Sequence, residues 1–226
     1  MKITLKNGEV KEFSQPLSVL EIASSISEGL ARNACAGLVN GQEVDLRTVV
    51  SEDCQLAVLT FEDESGRGAF RHTAAHILAQ AVKRLYPQTK LAIGPSIADG
   101  FYYDFDFASP ITAEDLPAIE AEMKKIVKEN LDITRFTLSR PEALALMNEK
   151  GESYKVELIE ALPEGEEISF YQQGDYVDLC AGPHLMSTKP VKAFKLTSLA
   201  GAYWHGDEKN KMLTRIYGTA FTKAAD

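Results

Sequence analysis

Apolar and polar residues alternate through ITLKNGEVKEF, residues 3–13, and the alternation is interrupted only at Asn7-Gly8. That pattern predicts two short strands joined by a tight turn. In PLSVLEIASSI, Ser18 stands where a helix N-cap belongs, Glu21 closes a capping box three residues on, and Leu17 is spaced to staple against Ile22. AGLVNGQEVDL repeats the hairpin signal at Asn40-Gly41, and CQLAVLT reads as a further strand. From residue 72 the period lengthens to that of a helix, which Pro87 brings to an end. Strands are then expected in KLAIGPSIADGFYYDFDF, around Gly94-Pro95 and Asp99-Gly100. A long amphipathic helix follows over TAEDLPAIEAEMKKIVKEN, opened by Thr112 and Asp115, and LDITRFTL is a strand. SRPEALALMNEKG carries Ser139 as cap, Pro141 in the first turn, Glu142 closing the box and Gly151 as stop. Strand patterns dominate the remainder.

The first sixty residues, strand–strand–helix–strand–strand, resemble a small β-grasp, ubiquitin-like module. FEDESGRG (61–68) is acidic and glycine-punctuated, which predicts a linker. Residues 69–226 then form a larger domain with helices packed on a mostly antiparallel sheet, so the fold class is α+β.

Composition narrows the setting. No apolar run approaches the roughly 18 residues that span a bilayer, and the N-terminus is patterned as a strand, so no membrane partner is expected. Three well-separated cysteines, Cys35, Cys54 and Cys180, do not make a disulfide framework, and a cytoplasmic chain is expected. A net charge of −9 argues against bulk electrostatic attachment to nucleic acid. Residues 189–223 depart from that balance: seven basic side chains stand against Asp207 and Glu208, a local excess of +5 that is able to receive phosphates.

The candidate chemistry is concentrated in few residues. Two of the four histidines, His72 and His76, sit four apart on one helix and so point the same way. Thr73 occupies the position at which a metalloprotease motif needs glutamate. Taken alone, the pair reads as packing beside Ala75, Ala79 and Val82. VDLCAGPHL adds Cys180 and His184, also four apart, but Gly182-Pro183 excludes a helix and places them on a tight loop after a strand. Asp178 lies two residues before the cysteine, on the same strand face. In GESYK, Lys155 reads as a solvated lysine near a helix start. Tyr102 and Tyr103 face opposite sides of a strand, where either is able to stack on a base. His205 follows the sole tryptophan and suggests at most an RNA contact.

HTAAHILAQAVKRLYP, IADGFYYDF, GESYK, YVDLCAGPH and LAGAYWHGDEKNKMLTRIYGTA together resemble the N-terminal half of bacterial threonyl-tRNA synthetases. The resemblance covers essentially the whole chain: residues 1–60 look like the TGS domain and 69–226 like the editing domain. It implies hydrolysis of seryl-tRNA formed in error on threonine tRNA, with the seryl-carrying acceptor end as partner. It also implies that the ligation domain, with its ATP, magnesium and zinc, and the C-terminal region expected to mediate dimerisation lie outside this sequence.

By the same resemblance, His72 and Lys155 are assigned to the ester and attacking water. His76, Cys180 and His184 shape the pocket, Asp178 binds the serine amino group, and Tyr102 or Tyr103 holds the terminal adenosine. No cofactor is expected for this part. The alternative is zinc held by His72, His76, Cys180 and His184, as in the alanyl-tRNA synthetase editing domains and their freestanding relatives, which share the four-residue set. Three rivals remain: an alanyl-tRNA-synthetase-like trans-editing hydrolase with zinc, a non-catalytic tRNA-binding module, and a regulatory or structural zinc protein.

Overall fold

Both asparagine–glycine pairs make the turns expected of them: Gly8, Asn40 and Gly41 all have positive φ, at 88°, 49° and 82°. A computed structural model describes residues 1–224 and 226. By their contacts these residues form two units, Met1–Phe70 with Gly182–Met186, and Arg71–Ala181 with Ser187–Asp226.

The first unit contains β1 (Lys2–Leu5), β2 (Val10–Glu12), β3 (Leu17–Ser18), α1 (Val19–Ile26), α2 (Glu28–Asn33), β4 (Ala34–Val39), β5 (Gln42–Val44), β6 (Val49–Val50) and β7 (Cys54–Thr60). Five strands run in the order β2-β1-β7-β4-β5, with β1 and β7 parallel and the other pairs antiparallel. That mixed sheet with a helix laid across it is a β-grasp. The capping box at Ser18 and Glu21 is present, and α1 buries Val19 and Ile22 against Ile3, Leu46 and Leu56. The short helix α2 and the β3–β6 pair are additions to the expected pattern.

In the same unit the loop 182–186 is held by its backbone. Asp45 Oδ2 accepts the His184 N–H at 3.1 Å, and the Arg47 guanidinium donates to the carbonyls of His184 (3.2 Å) and Leu185 (2.8 Å). The His184 side chain is completely buried.

Residues 61–68, expected to be a linker, are in part helical. Helix α3 (Glu64–Leu85) begins within them. Asp63 accepts the Thr60 N–H on its carboxylate at 2.8 Å and the Arg67 N–H on its carbonyl at 2.8 Å. Gly66 serves close packing: a Cβ there would come within 2.0 Å of the Thr60 carbonyl oxygen. Helix α3 continues into the second unit, where it is buried on all sides instead of along one stripe. From Ala69 to Val82, His72 alone is only half-buried.

The second unit is built on antiparallel strands throughout. β8 (Lys90–Leu91), β9 (Ser96–Ile97) and β10 (Gly100–Asp106) join the long hairpin formed by β14 (Ala193–Tyr203) and β15 (Met212–Phe221), in the order β14-β15-β10-β8 with β9 beside β10. A separate three-stranded sheet contains β11 (Ile133–Leu138), β12 (Ile168–Gln173) and β13 (Tyr176–Leu179). Helices α4 (Leu116–Glu129), α5 (Arg140–Glu149) and α6 (Ser153–Ala161) complete the unit. Ser139 and Glu142 form the expected box on α5, whereas Thr112 caps a 3-10 turn that leads into α4. Among the described residues no helix is long and apolar enough to cross a membrane.

Candidate active site

Three sequence-distant segments of the second unit converge on one buried carboxylate. Strand β13 directs Tyr176 and Asp178 to the same side, as its two-residue period requires, and Cys180 follows one step beyond the strand end. Asp178 is 2% exposed. Its Oδ2 accepts the hydroxyls of Tyr103 at 2.7 Å and Tyr176 at 2.5 Å, and lies 3.4 Å from His76 Nε2. Its Oδ1 lies 2.8 Å from Lys155 Nζ, an ion pair without good hydrogen-bond alignment.

Tyr103 reaches this position from β10. Gly94 leaves room for its ring, since a Cβ there would fall 2.1 Å from Tyr103 Cδ2. The ring also stacks on Phe105, with centroids 4.9 Å apart, and Lys155 Nζ lies 5.4 Å from its centroid.

Electrostatics fix the protonation of this group. Burial would push the Asp178 carboxyl up, but the Lys155 charge and hydrogen bonds to the carboxylate outweigh it and bring the pKa down to about 2. Burial pushes His76 down to about 3 against the pull of Asp178, so its imidazole is neutral at physiological pH. Burial and the Asp178 charge raise both tyrosines well above their usual range, which keeps them as hydroxyl donors.

Above this buried layer lie the half-buried His72 and Cys180, with Sγ and Nε2 3.5 Å apart. The His72 and His76 rings meet edge-on, their centroids 5.0 Å apart. Ser169 holds the segment in place: its carbonyl accepts the Cys180 N–H at 3.0 Å, and its hydroxyl donates to the Cys180 carbonyl at 2.5 Å. The donor atoms of His72, His76 and Cys180 lie within 4.8 Å of one another. Nitrogen and thiolate donors suit zinc, and 3.5 Å is about the edge of a tetrahedron around that ion. These three residues therefore fit a metal.

Several expected roles change. Lys155 is not solvated: it is 3% exposed and lies beneath the cluster, drawn inward by Asp178. Asp178 is not available to a substrate amino group, because it is buried and both oxygens are occupied. Tyr103 presents no face to a base, being completely buried. Tyr102 is partly open, but Arg215 already covers one face, with its guanidinium carbon 3.8 Å from the ring centroid. His205 rests on Trp204 at 4.1 Å and approaches Glu157 at 3.2 Å. The basic segment is partly neutralised, with Lys195 at Glu120, Lys211 at Asp106 and Arg215 at Asp104.

Two contributors were not anticipated. Tyr176 carries a signal in its spacing, two residues before Asp178 on a strand. Glu152 lies in the GESYK motif, where Lys155 alone is singled out, and it is 3% exposed.

Comparison with known families agrees with this architecture. Residues 1–60 match the TGS domain, and residues 168–217 match the threonyl and alanyl tRNA synthetase second additional domain. The first match covers the β-grasp, and the second covers β12, β13, β14 and part of β15 of the second unit. Over all 226 residues it is 64% identical to the threonine–tRNA ligase of Acetivibrio thermocellus, 63% to that of Clostridioides difficile and 61% to that of Clostridium novyi. It spans 36%, 35% and 36% of those proteins, and what it matches is the N-terminal region of threonine–tRNA ligase.

Proposed function

We propose that this chain is the post-transfer editing part of a threonine–tRNA ligase, hydrolysing seryl-tRNA made in error on threonine tRNA. The need is physical: serine lacks one methyl of threonine, worth about 1–3 kcal/mol in a pocket, so a second site must remove what the first admits. The cluster at Asp178 carries the reading, because it sets a half-buried imidazole and thiol over a buried cation.

In this reading water attacks the ester carbonyl and His72 takes its proton. Lys155, directed by Asp178, stabilises the developing oxyanion. Collapse of the intermediate breaks the bond to the ribose oxygen, which receives the proton that His72 took from water, and serine departs. Neutral His76 supports His72 and does not exchange protons. The partner is the seryl-carrying acceptor end of threonine tRNA in the cytoplasm. Ligation itself belongs to regions of the longer relatives that this chain does not match. The domain limits taken are 1–60 for the TGS part and 69–226 for the editing part.

The decisive measurement is deacylation of Ser-tRNA and Thr-tRNA by the 226-residue chain. Ser-tRNA is expected to be cleaved and Thr-tRNA spared, with His72→Ala slowing cleavage by about 10²-fold or more, as loss of a general base does. Intact seryl ester after incubation would leave a tRNA-binding module as the better account.

The donor spacing of His72, His76 and Cys180 favours a second reading in which zinc sits at this site. The ion would supply Lewis-acid or structural stabilisation. With Lys155 providing a cation beside the same residues, the metal-free reading is preferred. Elemental analysis is expected to find well under one zinc per chain, with no change in melting on chelation. One zinc per chain and unfolding with chelator would reverse that choice.

A further inference from the structure

Glu152 begins helix α6 and lies one turn before Lys155. Its carboxylate makes no hydrogen bond to its own helix end. Instead Oε1 accepts Lys83 Nζ at 2.9 Å and Oε2 accepts the Leu91 N–H at 2.8 Å. Each partner belongs to an element that also carries the cluster. Lys83 lies two turns beyond His76 on α3, which places both on one helical face. Leu91 is on β8, paired opposite Phe105 of β10, two residues from Tyr103. One buried carboxylate therefore binds the helix that carries Lys155 to the helix that carries His72 and His76, and to the sheet that carries Tyr103.

We propose that Glu152 is a positioning residue for Lys155, setting the register of α6 against α3 and thereby the place of the ammonium at Asp178. This rests on the editing reading for its kinetic test, but its structural test is independent of it. Glutamine in place of Glu152 retains the shape and loses an acceptor, so either the Lys83 or the Leu91 bond must fail. A displacement of about 1 Å at a reacting group costs about 10²-fold in rate.

For Glu152→Gln the expected result is a fall in kcat of about 10- to 100-fold on Ser-tRNA with KM for tRNA unchanged. In a Lys155→Met background the same substitution should add nothing, because a positioning residue acts through the group that it positions. Lys83→Met, which leaves the Leu91 bond intact, should give a smaller fall and serves if Glu152→Gln does not fold. Acetylation followed by mass spectrometry gives a readout without catalysis: Lys155 is protected in the unsubstituted chain and should become reactive in Glu152→Gln, while exposed Lys195 labels equally in both. An unchanged kcat, or an equal fold-loss in the Lys155→Met background, would overturn the proposal. If the unsubstituted chain leaves seryl-tRNA intact, the editing reading fails instead. In that event labelling decides, and continued protection of Lys155 in Glu152→Gln sinks the positioning claim.

Discussion

Replacement of Lys155 by methionine is expected to slow Ser-tRNA hydrolysis by about 10²–10³-fold, the usual loss when one oxyanion-stabilising group is removed. It should also lower unfolding free energy by about 3 kcal/mol, the lower end for a broken buried ion pair. The lower end applies because the Tyr103 and Tyr176 hydroxyls still bond Asp178 Oδ2 when the ammonium is gone. Methionine fills much of the same volume, so a packing defect contributes little. The two effects separate in the double variant Lys155→Met/Asp178→Asn. Removing the stranded charge should restore most of the stability, read by urea unfolding, and none of the rate. A full rate in Lys155→Met would exclude the lysine from the chemistry. Recovery of rate in the double variant would show that its role is only to neutralise Asp178.

The second large effect is on acid stability. His76 has a folded-state pKa of about 3, below the usual 6.5. Between those values the unfolded chain takes up a proton that the folded chain refuses, so stability falls as pH falls through that window. At about 1.36 kcal/mol per pKa unit the upper bound is on the order of 5 kcal/mol, comparable to the whole stability of many domains. Asp178 acts in the same direction but lower: its pKa is depressed to about 2, so its contribution is present above about pH 4 and lost towards pH 2. Urea midpoints measured from pH 7.5 to 4 should therefore drop steeply, and His76→Gln should flatten that drop while lowering the midpoint at pH 7.5. An equally steep drop in the variant would mean that His76 is protonated while folded.

Much of the fold was legible because its determinants are local. Asn7-Gly8 and Asn40-Gly41 need only their own backbone preference to turn, and the boxes at Ser18–Glu21 and Ser139–Glu142 close within three residues. The helix within 61–68 is not legible in the same way. Composition there predicts a linker, whereas Gly66 packs against the carbonyl of Thr60, a contact that composition does not encode. The candidate site residues are named together only through the resemblance. On its own residues Lys155 reads as solvated, while the resemblance puts it at the ester, Asp178 at an amine and Tyr102 or Tyr103 at the adenosine.

Local sequence rules account for the two Asn-Gly turns, for the capped starts of α1 and α5, for Asp178 lying two residues before Cys180 on one side of the chain, and for His72 and His76 sharing a helical face. The shared faces follow from periods of 2 and 3.6 residues, which operate over a few positions. Tertiary structure alone decided that Cys180 meets His72 across 108 positions and that Tyr103 bonds Asp178 across 75. It also decided that His76 is neutral and Asp178 ionised at neutral pH. Burial and the nearest opposite charge set an ionisation state, and both are properties of what the chain folds around a residue rather than of the residues beside it in sequence.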